Sequence, residues 1–265
     1  MQLDNRSLAI VTVAVCLWAC GGGAPAPESA EPAAASAPAA SEPAGDLVEV
    51  DPAKAATVSG KIVLEGEAPK PVRLNLGADE DCKAMHSEPL FSEQVVVNDD
   101  GTLQNVFVYI KSGLEGKSFA PSKDIVTIDQ VGCVYKPHVV GVQVGQTLRV
   151  TNDDPTLHNV HPLPRTNAEF NKSQGAGAGP IDTTFSKPEL MIPVKCNIHP
   201  WMRAYINVAA NPFFSVTGGD GTFTIKGLPA GEYTIEAVHE KYGNTEAKVI
   251  VGEGEAATVD LKFKG

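Results

Sequence analysis

The stretch Cys196-Asn197-Ile198-His199-Pro200-Trp201-Met202 carries the strongest signal in the chain. It places a thiol, an imidazole and a thioether at intervals of three residues on one short segment. A soft thiolate with imidazole suits copper, and a weak thioether ligand distinguishes an electron-transfer copper site from a zinc site. Such a site needs a second imidazole from elsewhere. Residues 151–159, which contain His158, are the obvious supplier.

Length and charge limit the class of protein. The chain has 265 residues, enough for one large or two modest domains. Its formal net charge is −11, and Lys and Arg form no cluster. An acidic surface repels nucleic acid, so we expect no nucleic-acid partner.

The N-terminus has the pattern of an export signal. Arg6 precedes a short apolar run that ends at Trp18 and is too short to span a bilayer, which predicts a signal peptide over residues 1–19. The sequence Leu17-Trp18-Ala19-Cys20 resembles a bacterial lipobox, in which the cysteine is lipidated and becomes the first mature residue. The alternative is an ordinary secretory signal cut nearby. We therefore expect a protein outside the cytoplasm, in the periplasm or at the cell surface, held at the membrane by lipid.

A low-complexity segment follows the signal. Residues 20–55 are rich in Ala and Pro at their start and are expected to form a disordered tether. Beyond the tether, Cys82 and Cys133 have no assigned role. Export to an oxidising compartment predicts a disulfide between them.

The rest of the sequence has a β pattern. Residues 58–64 and 106–110 are short runs rich in β-branched and aromatic side chains, and Val140, Val142 and Val144 alternate with other residues at period two. Gly and Pro interrupt these runs throughout. The pattern predicts an all-β fold of sandwich type.

Residues 151–161 and 196–202 together resemble a cupredoxin, nearest to the amicyanin and plastocyanin type. The resemblance implies a Greek-key β-sandwich with one type 1 copper site at one end. It implies four copper ligands, which are His158, Cys196, His199 and Met202. It also implies that Asn159 hydrogen-bonds across to the cysteine loop.

Three other expectations concern this region. His161 lies three residues after His158 and should point to the opposite face of a strand, so we predict that it is not a ligand. His138 is also not expected to be a ligand. His199 is expected at the solvent edge, where electrons would pass, with residues 162–164 adding to an apolar docking surface.

A second family resemblance involves both ends of the folded part. Residues 58–69 and 219–233 resemble a carboxypeptidase-regulatory-like (transthyretin-like) sandwich, which is a small Greek-key module. About 150 residues separate the two motifs. Our hypothesis is that the cupredoxin segment is inserted into this module, and the alternative is a tandem arrangement. His239 and Glu240 are expected in a surface turn of the module.

The domain boundaries follow from these motifs. The signal peptide and tether precede a β segment that is expected to belong to the regulatory-like sandwich, then a cupredoxin-like domain and the rest of the regulatory-like sandwich. The five segments are residues 1–19, 20–55, 56–120, 121–211 and 212–265.

The predicted function is a lipid-tethered, extracytoplasmic blue copper protein that carries single electrons to and from a redox partner protein. One alternative is copper storage or delivery, which the small number of methionines, four in all, disfavours. Another is a structural surface lipoprotein with a β-sandwich binding module. We expect no enzyme activity, because the sequence shows no Ser/His/Asp spacing and no additional histidines for an oxidase.

Overall fold

A computed structural model of the chain describes residues 46–77 and 79–265. The predicted signal peptide, Cys20 and the tether up to residue 45 lie outside the described residues. All described residues belong to one compact unit. Within this part of the chain, no helix has the length and apolarity needed to cross a membrane.

The described residues form short strands and one short helix, which confirms the predicted all-β fold. The helix, α1, begins after Asp79, whose side chain accepts a hydrogen bond from the Cys82 N–H and caps the first turn. The elements are β1 (Asp46–Leu47), β2 (Ala56–Glu65), α1 (Glu80–Ala84), β3 (Phe107–Ser112), β4 (Lys117–Ser118), β5 (Val126–Gln130), β6 (Tyr135–Lys136), β7 (Val139–Gln143), β8 (Leu148–Asn152), β9 (His158–Pro162), β10 (Lys172–Gln174), β11 (Ile181–Thr183), β12 (Glu189–Lys195), β13 (Arg203–Ala209), β14 (Phe214–Val216), β15 (Thr222–Leu228), β16 (Gly231–His239), β17 (Gly243–Val251), β18 (Ala256–Thr258) and β19 (Leu261–Lys264).

The middle of the chain forms the first sandwich, which we call sandwich A. One sheet has the strand order β10-β9-β12-β13-β7, and the other has the order β11-β8-β5-β6. Alternate side chains of β8 are buried, as expected for a strand with one face on a core. Ile128, Val150 and Ile206 are completely buried in the core that the two sheets share. The sheets therefore bury their apolar faces against each other.

Both ends of the described chain form the second sandwich, sandwich B. One sheet has the order β14-β3-β16-β17, and the other has β15-β2-β18 with β19 also on β2. Strand β2 pairs antiparallel with β15, and parallel with β18 and β19. The insertion hypothesis requires this pairing between β2 and the C-terminal strands. The chain thus begins sandwich B, builds sandwich A, and returns to complete sandwich B.

The link between β2 and β3 crosses to sandwich A. We call residues 72–77 and 79–94 of this link the cap. A disulfide joins Cys82 of the cap to Cys133 of sandwich A, with an S–S distance of 1.98 Å. His86 Nε2 is 2.7 Å from the Gly132 carbonyl oxygen. The cap is thus attached to the same end of sandwich A from two neighbouring points.

The predicted tether is too long at its C-terminal end. Strand β1 pairs in parallel with β4, and Val48 and Val50 pack against the core of sandwich B. These two apolar side chains give residues 46–55 a reason to be ordered.

Candidate metal centre

Three strand ends position three of the four predicted ligands. His158 opens β9, Cys196 directly follows β12, and Met202 directly precedes β13. Strands β9 and β12 are antiparallel neighbours, with Lys195 opposite His161. An antiparallel pair places the start of one strand beside the end of the other. His158 therefore lies beside the cysteine loop.

The loop from Cys196 to Met202 is closed by its own hydrogen bonds. The Met202 N–H donates to the His199 carbonyl at 2.9 Å, and the Cys196 N–H donates to the Met202 carbonyl at 3.3 Å. The His199 N–H donates to Cys196 Sγ at 3.4 Å. The Met202 side chain is completely buried in the core of sandwich A. These bonds hold the backbone of the loop around the sulfur.

Three donor atoms converge at this end of the sandwich. The two Nδ1 atoms of His158 and His199 are 2.8 Å apart, and Cys196 Sγ is 3.9 Å from His199 Nδ1. Ligand atoms of all three residues lie within 4.8 Å of one another. The three side chains are no more than 2% exposed. The structure thus assembles an imidazole–imidazole–thiol set away from water.

Two carboxylates fix the orientation of the rings. His158 Nε2 donates to Asp154 Oδ2 at 2.8 Å, and His199 Nε2 donates to Asp79 Oδ2 at 3.0 Å. Both Nδ1 lone pairs then face the interior, where they repel each other unless a proton or a cation lies between them. Carboxylate-bound imidazoles of this kind are typical of metal ligands. A His₂Cys donor set suits copper, so the residues present fit a copper ion.

The electrostatics of the site also favour a cation. Burial raises the pKa of the Cys196 thiol, but hydrogen bonds from His158 and from backbone N–H groups outweigh burial and lower that pKa to about 7. Burial lowers the pKa of His158, while Asp154 and Cys196 raise it to about 9. The two shifts, a lower pKa for the thiol and a higher pKa for the imidazole, both favour a thiolate beside an imidazolium over the neutral pair in the metal-free site. A metal cation would take the place of that imidazolium proton.

Asp154 and Asp79 are functional residues that the sequence analysis missed. Asp154 also accepts hydrogen bonds from the N–H groups of Gly132 (2.6 Å) and Cys133 (2.7 Å). Asp79 also accepts one from the Cys82 N–H at 2.8 Å. Each carboxylate therefore connects one ring to one half of the disulfide. Asp154 was within reach of sequence reasoning, four residues before His158, whereas Asp79 lies 120 residues from His199.

Asn159 does connect to the cysteine loop. Its Oδ1 accepts a hydrogen bond from the Asn197 N–H at 2.7 Å and lies 3.3 Å from Cys196 Sγ. Its Nδ2 donates to Asn171 Oδ1 at 2.6 Å. Because the loop donates through its backbone, this bond does not depend on the side chain at position 197.

The expected position of His199 at the solvent edge is wrong. The side chain is buried, its Nε2 is hydrogen-bonded to Asp79, and the Trp201 ring lies 5.0 Å from it between centroids. The cap covers this edge of the imidazole. The cap, which is distant from residues 196–202 in sequence, thus covers the side of the His199 imidazole that was expected to face solvent.

The other histidines lie outside the converging donor set. His161 Nε2 donates to Glu169 at 2.6 Å, and its Nδ1 is 3.1 Å from Asn197 Oδ1. His138 Nε2 lies 2.5 Å from Glu240 Oε1 in sandwich B. The chain does turn after His239, between β16 and β17, but the expected surface exposure is wrong, since the side chains of His239 and Glu240 are buried.

The apolar surface near the site differs from the expected one. Pro162 is buried, and Leu163 is half-buried. Leu157 and Ile198, each next to a predicted ligand, are exposed for 48% and 44% of their surface. These two residues, rather than residues 162–164, offer apolar surface beside the ligand loops.

Comparison with known proteins gives partial likenesses. No family model and no curated protein matches the chain. Among solved structures, the chain resembles the Cu-containing nitrite reductase from Thermus scotoductus SA-01 at 25% identity and a TM-score of 0.31, over 35% of this chain and 24% of that one. It resembles a purple cupredoxin from Nitrosopumilus maritimus at 21% identity and a TM-score of 0.28, over 32% of this chain and 99% of that one. It also resembles a mutant of amicyanin with Cu(I), at 21% identity and a TM-score of 0.29, over 38% of this chain and 98% of that one. The chain therefore spans about a quarter of the nitrite reductase and nearly all of the other two.

Proposed function

We propose that the protein is a membrane-tethered, extracytoplasmic type 1 copper protein that carries single electrons between redox partners. The observation that carries the proposal is the convergence of two Nδ1 atoms and one thiol sulfur, with both Nε2 atoms on carboxylates. Among the described residues, the two other groups of possible ligand atoms each include a disulfide sulfur. A free set of three donors therefore occurs at this site.

Each residue has a defined role in the proposal. Cys196, His158 and His199 hold the copper, and Met202 supplies the weak sulfur ligand. The bound copper would alternate between the +1 and +2 states. Hydrogen bonds to the rings and the loop fix the donor positions in advance, so the site changes little between the two states. The cap excludes water from the ligands.

The location outside the cytoplasm rests on the sequence and on the disulfide. A disulfide between Cys82 and Cys133 suits an oxidising compartment. Lipidation of Cys20 would keep the protein at the membrane, near a redox partner protein. The Cys20→Ser protein should be released from the membrane fraction, and retention there would contradict the lipid anchor.

Copper(II) added to the purified protein should produce an intense visible thiolate-to-copper band. Cys196→Ala and His158→Gln should lose this band, because each removes a donor atom from the converging set. His161→Gln is the matched control and should keep the band, since His161 is hydrogen-bonded outside the set. A wild-type protein without the band, or a Cys196→Ala protein with it, would refute the proposal.

Copper storage or delivery is a second candidate, supported by the complete burial of the ligands beneath the cap. The two functions differ in redox behaviour. An electron carrier shows a reversible one-electron couple without loss of metal, whereas a delivery protein releases its metal when the oxidation state changes. Voltammetry with metal analysis after each cycle distinguishes them. A purely structural role would not explain why the donor atoms of His158, Cys196 and His199 converge. We propose no enzyme activity.

A further inference from the structure

The metal centre needs an electron route other than an exposed ligand. His199 is the ligand nearest the cap, and Asp79 occupies its outer nitrogen. Trp201 is half-buried, and its ring contacts the His199 ring at 5.0 Å between centroids. The indole Nε1–H donates to the Cys133 carbonyl at 3.0 Å, which fixes the ring in place. Trp201 is therefore a rigid aromatic group that connects a buried ligand to the surface.

Trp201 lines a groove of about 240 Å³ where the cap, sandwich A and sandwich B meet. Val72 and Phe91 of the cap form one wall and are 66% and 47% exposed. Tyr205 of sandwich A and Glu240 of sandwich B form the other side. An apolar cavity of about 150 Å³ binds benzene. The groove therefore has room for one substituted aromatic ring between aromatic walls.

The polar side of the groove is a buried proton-carrying pair. The Glu240 side chain is 5% exposed, and its Oε1 lies 2.5 Å from His138 Nε2. His138 Nδ1–H donates to the Arg203 carbonyl at 3.1 Å. Both nitrogens of the ring thus face oxygen acceptors, so a proton is shared between Nε2 and the carboxylate. Glu240 offers the groove a carboxylate acceptor, which favours a ligand that donates a hydroxyl. Glu93 and Arg203, which also line the groove, carry opposite charges, so the lining favours a ligand with no net charge.

We propose that this groove binds an uncharged, hydroxylated single aromatic ring of the quinol class and that Trp201 passes its electron to the metal centre. The inference rests on the proposed electron-transfer function. In the copper-loaded protein the bound ring would give one electron, which copper(II) would accept. The ring gives one proton to the His138–Glu240 pair and leaves as a neutral radical. The groove thereby gives the protein a small-molecule electron donor in addition to a protein partner.

Binding is tested on the metal-free protein. Of the two tryptophans in the chain, Trp18 lies in the predicted signal peptide, so all indole emission of the mature protein comes from Trp201. Hydroquinone should change that emission saturably. Glu240→Gln should weaken binding about tenfold, because a charged acceptor is lost. Ile198→Ala, an exposed apolar change on the ligand loop that does not line the groove, should leave binding unchanged.

Electron entry is tested on the copper-loaded protein by stopped-flow bleaching of the visible band. The rate with hydroquinone should saturate, and Trp201→Leu should lower the limiting rate, with partial rescue by Trp201→Phe. Ferrocyanide, a multiply charged anion that does not suit the groove, should react at a rate that rises linearly with concentration and is unaffected by Glu240→Gln. Linear hydroquinone kinetics, or unsaturable Trp201 emission, would overturn the inference while leaving the proposed function in place. Absence of the visible band would refute the proposed function itself.

Discussion

Asp79 is the residue whose role is least visible in the sequence. It lies in the cap, it caps α1 through the Cys82 N–H, and its other oxygen holds His199 Nε2. The Cys82 N–H is the main reason why the pKa of Asp79 is lowered, and the hydrogen bond from His199 lowers it further. An ionised carboxylate on the outer nitrogen makes the inner nitrogen of the ring a stronger donor.

Asp79→Asn tests this role at a single atom. Asparagine still caps a helix, so α1 should persist, but the ring loses its charged partner. We expect copper affinity to fall by about 10- to 100-fold while the visible band remains. Competition with a chelator of known affinity measures the effect. Asp81→Asn, an exposed acidic residue of α1, is the control, and equal losses in the two variants would contradict the role of Asp79.

The sequence predicted which donor atoms to expect but not what surrounds them. Cys196 and His199 share one loop, and His158 follows a polar turn, so local spacing was sufficient. Asp79 reaches His199 only because the cap folds over sandwich A. The burial of Glu240 likewise depends on contact with His138 across the two sandwiches. No local pattern encodes contacts of this kind.

The cap is the element that separates the ligands from water. Its disulfide closes a loop of 51 residues in sequence, and chain entropy alone predicts a stabilisation of about 4 kcal/mol for a loop of that length. The Cys82→Ser/Cys133→Ser protein should lose stability by about this amount. It should also release copper to a chelator faster, because the cap is freed from the metal-bearing end.

Decay of the visible band after addition of the chelator measures this release. Val249→Ala, a truncation in the core of sandwich B, serves as the control, because it lowers the stability but leaves the disulfide of the cap intact. Equal release rates in the parent and the disulfide variant would show that the cap does not limit access to the metal.

Strand β12 begins with a carboxylate that organises the loop after β9. Glu189 accepts hydrogen bonds from the backbone N–H groups of Arg165, Thr166 and Asn167 and from two of their side chains. Although burial raises the pKa of Glu189, these donors lower it to about 2. The lowered value means that the folded state favours the ionised form, so the contribution to stability is complete above pH 4.5 and is lost as the pH falls towards 2.

Glu189→Gln should therefore flatten the fall in unfolding free energy between pH 4.5 and 2. Chemical denaturation at a series of pH values measures the slope. Glu232→Gln, at an exposed position of β16, is the control. A slope in Glu189→Gln as steep as in the parent would contradict the assignment.

At the scale of the whole molecule, the order of strands explains how two sandwiches form one unit. The sequence motifs at both ends of the chain supported an inserted arrangement, and β2 does pair with β15, β18 and β19. What the motifs did not contain is the contact between the sandwiches. Phe107 of β3, Val139 of β7 and Ala209 of β13 form a small apolar cluster there. Each of three strands that are distant in sequence contributes one side chain to this cluster. The alternation of apolar residues within a single strand therefore does not identify the members of the cluster.

Gly141 of β7 makes the closest approach in this contact. A Cβ atom there would lie 2.6 Å from a Phe107 ring carbon and 2.7 Å from two Phe214 ring carbons, so both rings from sandwich B would have to move. Gly141→Ala should lower the free energy of unfolding by about 1–3 kcal/mol, because the position becomes overpacked.

Because the strain in Gly141→Ala falls between the sandwiches rather than within either core, the unfolding of the two sandwiches should also become uncoupled. We expect the two sandwiches of the metal-free parent to unfold together, so Trp201 emission, which reports sandwich A, and far-ultraviolet dichroism, which reports both sandwiches, should share one denaturation midpoint. In Gly141→Ala the midpoints should separate, whereas Gly175→Ala, at a position with no atom within 4 Å of the new Cβ, should keep them together. Coincident midpoints in Gly141→Ala would mean that coupling comes from the cap and the His138–Glu240 pair instead of this apolar contact.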